Sequence, residues 1–418
     1  MRLFHVVAIV IAFVGNTLHA EERSDSVPPW KAGAASVVIT PERPLRMAGY
    51  GGRTDPADGT VQNLFAKCVT FEDQHGQRVA IITLDLIGVL AELRSAVVEQ
   101  LSEKHKLPPE AVLMNASHTH CGPAYGRDDA KDYFEQLTQK IVRVVGESIE
   151  RLQPATLSYS VARASVAMNR RTPSATGFVN HPNPLGPVDH SVPVLSVRNP
   201  AGELQAVVFG YACHNTTMGF LKWYGDYAGY AQEYLEADHP GVTALFMMGC
   251  GGDQNPYPRS ELNYAKHHGR TLATAVEAAL EVNQRTLRHQ HSVSGPLRFA
   301  LETVDLKFAV KDRPDFPYPV QAIRFGNDVT LIALGTEVVV DYSLRLKSDL
   351  SRPKGPAIWV AGYSNVYSGY IPSRRVLLEG GYEARSRPWH PDLEERIVKK
   401  VHDIVGRLKV TPDESKKD

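Results

Sequence analysis

Six short apolar runs, at residues 79–84, 112–114, 206–209, 244–248, 329–334 and 358–360, leave this chain little choice of architecture. None shows the polar alternation of a half-solvated strand, and none is long enough for an ordinary helix, so each predicts a strand buried on both faces. The runs are separated by helical periodicity. Tyr133, Phe134, Leu137, Ile141, Val144, Val145, Ile149 and Leu152 recur at three and four, as do Leu393, Ile397, Val398, Val401, Ile404, Val405 and Leu408, and a third helix is predicted over about residues 260–282. Alternating elements of this kind predict an α/β fold of mixed β-sheets flanked by helices. Residues 172–189, rich in Pro, Gly and Asn, read as a long loop or lid.

The segments just past the strands point to function. Asn115-Ala116-Ser117-His118-Thr119-His120-Cys121-Gly122-Pro123 comes after the second run, Cys213-His214-Asn215-Thr216-Thr217 after the third and Gly249-Cys250-Gly251-Gly252-Asp253-Gln254-Asn255 after the fourth. Gly335-Thr336-Glu337 comes after the fifth, and Gly362-Tyr363-Ser364-Asn365 after the sixth. Ligands of open α/β sheets bind where loops diverge at the carboxyl ends of strands, so the active site is expected there, in one shared cleft.

Lys plus Arg and Asp plus Glu each number 46, a balance without the basic excess of an electrostatic nucleic-acid binder. No nucleic-acid partner is expected. Residues 1–20 read as a signal peptide: Arg2 precedes the apolar run 6–14, and Ala20 ends the segment. A retained membrane anchor is the alternative, although the run is too short to span a bilayer stably. The expectation is a secreted or periplasmic protein, with a catalytic domain over 21–410 and a charged tail over 411–418. Cys68, Cys121, Cys213 and Cys250 are too few to staple such a chain and form no CxxC pair. Inert packing is preferred for them over a Cys213–Cys250 disulfide or ligation.

His118 and His120 form an H-x-H pair, whose side chains in an extended segment point the same way. With His214 and Glu337 they suggest a mixed nitrogen and carboxylate site for Zn²⁺ with one open position, the arrangement that acidifies a bound water and polarises a carbonyl. A closed structural Cys/His zinc centre is the competing reading. His289 and His291, in a charged and Gln-rich stretch, are read as solvated surface.

At these residues the sequence resembles the neutral/alkaline non-lysosomal ceramidase family. The resemblance is carried in order by Met47-Ala48-Gly49-Tyr50, the 115–123 and 213–218 segments, Gly225-Asp226-Tyr227-Ala228-Gly229-Tyr230-Ala231, Gly252-Asp253-Gln254-Asn255-Pro256 and Ser364-Asn365-Val366-Tyr367-Ser368-Gly369-Tyr370-Ile371. It implies the family's catalytic domain without its immunoglobulin-like C-terminal domain, and a zinc amidase cleaving the N-acyl bond of ceramide, or a related N-acyl compound, by zinc-hydroxide attack. It places the zinc ligands on His118, His214, Glu337 and Tyr370, and the proton shuttle on His120. It also implies catalytic parts for Arg170, for the retained Asp253 and for Tyr382 as donor to the developing oxyanion, and a close substrate approach at Gly49. Where the family has serine, this chain has Asn255, expected at the substrate and without a nucleophilic hydroxyl. That departure keeps two alternatives open: a hydrolase of a smaller polar amide or ester, and an inactive protein that retains the metal pocket for binding. A lipid substrate also implies peripheral contact with membrane lipid.

Overall fold

The computed structural model describes residues 30–285 and 291–409, so the expected signal peptide, the 411–418 tail and His289 lie outside the described residues. All six apolar runs are strands. They occupy Arg78–Leu84, Val112–Ala116, Leu204–Tyr211, Thr243–Met248, Val329–Leu334 and Ala357–Ala361, and their central residues are buried.

A nine-stranded mixed sheet runs Thr243–Met248, Leu204–Tyr211, Ser191–Arg198, Gln153–Arg163, Trp30–Val38, Phe65–Asp73, Arg78–Leu84 and Val112–Ala116, with His291–Ser292 paired beside Gln153–Arg163. Its side chains divide by the period of two. Ala66, Cys68, Ala80 and Ile82 pack with the helices Ala91–His105 and Lys131–Glu150, and Val207, Phe209, Ala244 and Phe246 with the helices Asp226–Asp238 and Leu262–Arg285. The alternate residues, among them Val69, Phe71, Ile81, Val208, Leu245 and Met247, meet Ile323, Leu331 and Trp359 of a second sheet. That four-stranded sheet runs Leu297–Leu306, Phe316–Phe325, Val329–Leu334 and Ala357–Ala361. Its other face is covered by Val340–Leu350 and Leu393–Arg407. The layers are therefore helix, sheet, sheet, helix, which explains why the central strands read as unbroken apolar runs: neither of their faces meets water.

The two edge strands of the large sheet come together through a side chain. Asn115 accepts from Met248 N at 2.8 Å and donates to Met248 O at 3.2 Å, so its amide copies a backbone ladder step across the gap. It also donates to Gly362 O at 2.7 Å, gathering three strand ends at one point. Residues 172–189 are not one long loop. Ala167–Ser174 and Gly177–Asn183 form a hairpin that pairs with Gln254–Pro256 in a three-stranded sheet. The hairpin is exposed on much of its surface, so it needs no apolar alternation, and its Pro and Asn residues disguise it. Asn183 Nδ2 to Arg171 O, at 2.6 Å, and Thr172 Oγ1 to His181 O, at 2.9 Å, hold it together. Among the described residues no helix is long and apolar enough to cross a membrane.

Candidate metal centre

Two short parallel pairings assemble the centre. Thr119 bridges Asn215, which sets the His118–His120 segment beside His214. Glu337–Val338 pairs with Tyr370–Ile371 in register Glu337 to Tyr370, which brings together two residues 33 positions apart. The H-x-H segment is not extended as the sequence suggests: His118 has φ of 61°, in the left-handed region, where a non-glycine residue is strained. The imidazoles meet because the backbone turns there, and their Nε2 atoms lie 3.0 Å apart.

The hydrogen bonds behind the histidines fix what their front atoms can do. His118 Nδ1 lies 2.6 Å from Ile87 O and His214 Nδ1 lies 2.8 Å from Gly251 O. A carbonyl only accepts, so both Nδ1 atoms carry the proton and both Nε2 atoms present lone pairs. Those lone pairs face Glu337 Oε2, at 3.1 Å from His118 and 3.3 Å from His214. Glu337 Oε2 has no hydrogen-bond donor although it is buried, while Oε1 accepts from Tyr367 OH at 3.2 Å. A donorless carboxylate oxygen facing two imidazole lone pairs is repelled by them, an arrangement that a bound cation would relieve. Ligands about 2.0–2.2 Å from a tetrahedral zinc are separated by roughly 3.3–3.5 Å, so the spacing suits such an ion. Tyr370 OH, 3.5 Å from His214 Nε2, stands at the same distance scale.

His118, His120 and His214 also form a buried group whose ring nitrogens are close enough to share an ion. His120 differs from the other two, because its Nδ1 is buried with no partner. Metal-ligating histidines almost always donate their second nitrogen, a condition that His118 and His214 meet and His120 does not. Burial, then the neighbouring His118 and His214, hold His120 well below its ordinary range. Burial and the Arg170 guanidinium push His214 down to about 3, against the opposing pull of Glu337, so its imidazole is neutral as a ligand must be.

Arg170 is buried beside this group, not at the surface. Its Nη2 donates to Tyr370 OH at 3.0 Å, Nη1 lies 3.2 Å from both His214 Nε2 and Asn255 Oδ1, and Nε donates to Glu383 at 2.9 Å. Asn255 thus holds Arg170. Tyr382 is 56% exposed and its ring lies 5.3 Å from that of Tyr370, which places it at the mouth and not in the core. Gly49 has φ of 98°, and a Cβ there would lie 2.5 Å from His120 Cγ, so only glycine lets this strand of backbone back the imidazole. Residues 30–249 match the family model of neutral/alkaline non-lysosomal ceramidase, N-terminal, more than half of the sequence. The chain belongs to that family.

Among curated relatives, neutral ceramidase B of Dictyostelium discoideum is 25% identical over 51% of this chain and 34% of its own length. Neutral ceramidase A of the same organism is 23% identical over 50% of this chain and 32% of its own length. This ceramidase-family chain thus spans about a third of the length of the curated relatives it matches. Crystallographic neutral ceramidase from Pseudomonas aeruginosa shares the fold, with a TM-score of 0.79 at 19% identity over 93% of this chain and 76% of that one. A ceramidase solved in complex with C2 gives 0.78 at 18% identity, with 92% and 76% covered.

Asp253 has a supporting position in the family fold seen here. Its carboxylate accepts from Val340 N at 2.8 Å, at the start of helix Val340–Leu350, and from Asn169 Nδ2 at 3.2 Å, and touches none of the converging acceptors. Burial, only partly offset by the Val340 bond, raises it to about 7 from an ordinary 3.8. A folded carboxyl with a raised pKa binds more protons than the unfolded one, so its contribution to stability is complete below about 4 and is lost as pH climbs to about 7. Asp253→Asn, which can keep the bond from Val340 N but loses the one from Asn169 Nδ2, carries a constant cost from that loss, yet should gain on the native protein across that window by a few kcal/mol and run parallel above it. Denaturation midpoints of both proteins between pH 4 and 8 check this, and a constant difference across the range would refute it.

The cysteines are all buried and free, so the structure holds no Cys213–Cys250 disulfide. No cysteine joins a potential metal group among the described residues, which removes the structural Cys/His centre. Three contributors escaped the sequence reading. Tyr363 packs its ring 4.5 Å from that of His118, Tyr367 bonds Glu337, and Glu383 pairs with Arg170. Both tyrosines stand in the 364–371 region or next to it, yet a tyrosine after a buried strand reads as core. Glu383 had one signal, its place beside Tyr382.

Proposed function

We propose that this protein is a zinc-dependent amidohydrolase that cleaves the N-acyl bond of ceramide or a related N-acyl compound, with His118, His214, Glu337 and Tyr370 as the metal ligands. The observation that carries the reading is the approach of His118 Nε2 and His214 Nε2, at 3.1 and 3.3 Å, to a buried Glu337 Oε2 that has no hydrogen-bond donor. Zinc bound there would supply a water acidic near neutral pH and a Lewis acid for the substrate carbonyl.

The chain's own residues supply the rest. His120, neutral and 3.0 Å from His118, receives a proton at Nε2 and returns it to the leaving amine. Tyr382, with its exposed ring against Tyr370, donates its hydroxyl to the carbonyl oxygen as negative charge develops. Arg170 orients Tyr370, and the Gly49 backbone limits the space around His120. Peripheral contact with membrane lipid, where an N-acyl substrate such as ceramide resides, is part of the proposal, and Leu378, 81% exposed and four positions before Tyr382 in sequence, is an apolar side chain free to take part. The proposal includes export by the leader at residues 1–20, which fits a substrate met outside the cytoplasm.

The test is incubation of the zinc-loaded protein with ceramides, N-acyl amino acids and N-acylated sugars, with release of free amine read by mass spectrometry. Release from ceramides supports the full reading, and release from the polar compounds alone narrows it to a smaller amide. Asn255, in place of the family serine, favours a second reading in which the pocket binds without turnover. Loss of hydrolysis in a His120→Ala variant that keeps its zinc supports the enzyme, whereas a native protein that binds ceramide and releases nothing establishes the alternative.

A further inference from the structure

Arg170 brings a full positive charge to the place where a divalent cation is to bind, with Nη1 3.2 Å from His214 Nε2 and Nη2 on Tyr370 OH. At 4% exposure water does not screen it, so alone it would be costly to bury and would oppose an incoming ion. Asn255 satisfies one of its protons but adds no charge. The countercharge comes from Glu383, which is 1% exposed. Its Oε1 accepts from Arg170 Nε at 2.9 Å, and its Oε2 accepts from Arg171 Nη1 at 2.5 Å. Arg171 is balanced in turn by Glu379, at 3.0 Å, and by Gly380 O, at 2.8 Å. Two buried guanidinium groups thus meet two carboxylates, and Glu383 is the only one of the two that touches both arginines.

Glu383 also belongs to the four-residue helix Tyr382–Arg385, next to the mouth tyrosine. The Arg170 guanidinium lies 5.4 Å from the Tyr370 ring centre and 5.5 Å from that of Tyr382, so one carboxylate sets the cation between both rings. We propose that Glu383 is the positioning residue of this centre: it fixes Arg170 against Tyr370 and cancels its charge, and thereby permits a divalent cation to bind beside a buried guanidinium. The inference rests on the function proposed above and assigns to Glu383 a role toward the metal that acts entirely through Arg170.

Glu383→Gln keeps the shape and removes the charge. With zinc affinity measured by competition against a chromophoric chelator, it should bind roughly 10–100-fold more weakly than the native chain, the range expected when an outer partner of a metal site is lost. At saturating zinc, kcat should fall more than KM changes. Glu383→Asp retains the charge and should stay close to native affinity. Because an uncompensated Arg170 could unfold the single variant, Glu383→Gln/Arg170→Gln also removes the charge that opposes the ion and should recover much of the affinity. Native affinity in a folded Glu383→Gln protein, or failure of the double variant to recover any, overturns the proposal. A native chain that binds no zinc brings down the proposed function and this inference together, whereas native zinc binding with an indifferent Glu383→Gln brings down this inference alone.

Discussion

His214→Ala is expected to lose stoichiometric zinc and to lower amide hydrolysis more than about 100-fold, beyond the loss produced by removing an outer-shell partner. His214 is held from behind by Gly251 O at 2.8 Å and from beside by Arg170 at 3.2 Å, so its ring is fixed with Nε2 toward Glu337. The backbone segment that carries it is fixed as well, since His214 N donates to Gln254 O at 3.0 Å. Alanine therefore leaves a void opposite Glu337 and removes one of the converging lone pairs, while the sheets beneath are untouched. His120→Ala is the matched control: it removes an imidazole that no carbonyl orients, so zinc content should remain while turnover falls. Metal analysis of both variants alongside their rates decides the assignment. Full zinc in folded His214→Ala would show that the ion, if bound, lies elsewhere.

The contrast between those histidines was only half legible in the sequence. The H-x-H spacing and its place after a buried strand single out both residues, but the tautomers depend on Ile87 O and Gly251 O, carbonyls that any residue could have supplied. Tyr370 could be reached only through family resemblance, because its neighbour Glu337 is brought to it by a two-residue ladder without a sequence signature. The fold divides in the same way. Strands buried on both faces announce themselves, since every position must be apolar. Trp30–Val38 does not, although it lies in the middle of the large sheet. It is built of Ala, Gly and Ser because helix Lys131–Glu150 and its end pack against it so closely that a Cβ on Gly33 would sit 2.2 Å from Ser148 O. Close approach there requires small side chains, and small side chains erase the strand pattern. Helix Ala91–His105 is hidden for another reason: its buried residues are Leu93, Val97, Val98 and Leu101, too few among its charges to mark one face.

Asn115→Ala should be the most damaging polar substitution in the scaffold, lowering stability by roughly 2–4 kcal/mol. Not all four of the bonds made by Asn115 count equally. Met248 O and Gly362 O keep other donors, Gly362 N at 3.1 Å and Ser364 Oγ at 2.8 Å, so the variant leaves neither carbonyl bare. Met248 N has no such reserve: its bond to Asn115 Oδ1, at 2.8 Å, lies at the sheet edge, and the variant leaves a fully buried N–H without an acceptor. That desolvated donor and the void left by the amide make up the loss. The damage should extend to the centre, because Asn115 lies three residues before His118 and joins the strand ends that lead to the 249–255 turn and to Tyr363. Urea denaturation should show a lower midpoint with an unchanged slope, and zinc affinity should weaken in the same protein. A shift within about 0.5 kcal/mol, the level of an ordinary surface change, would mean that the two sheet edges hold together without this side chain.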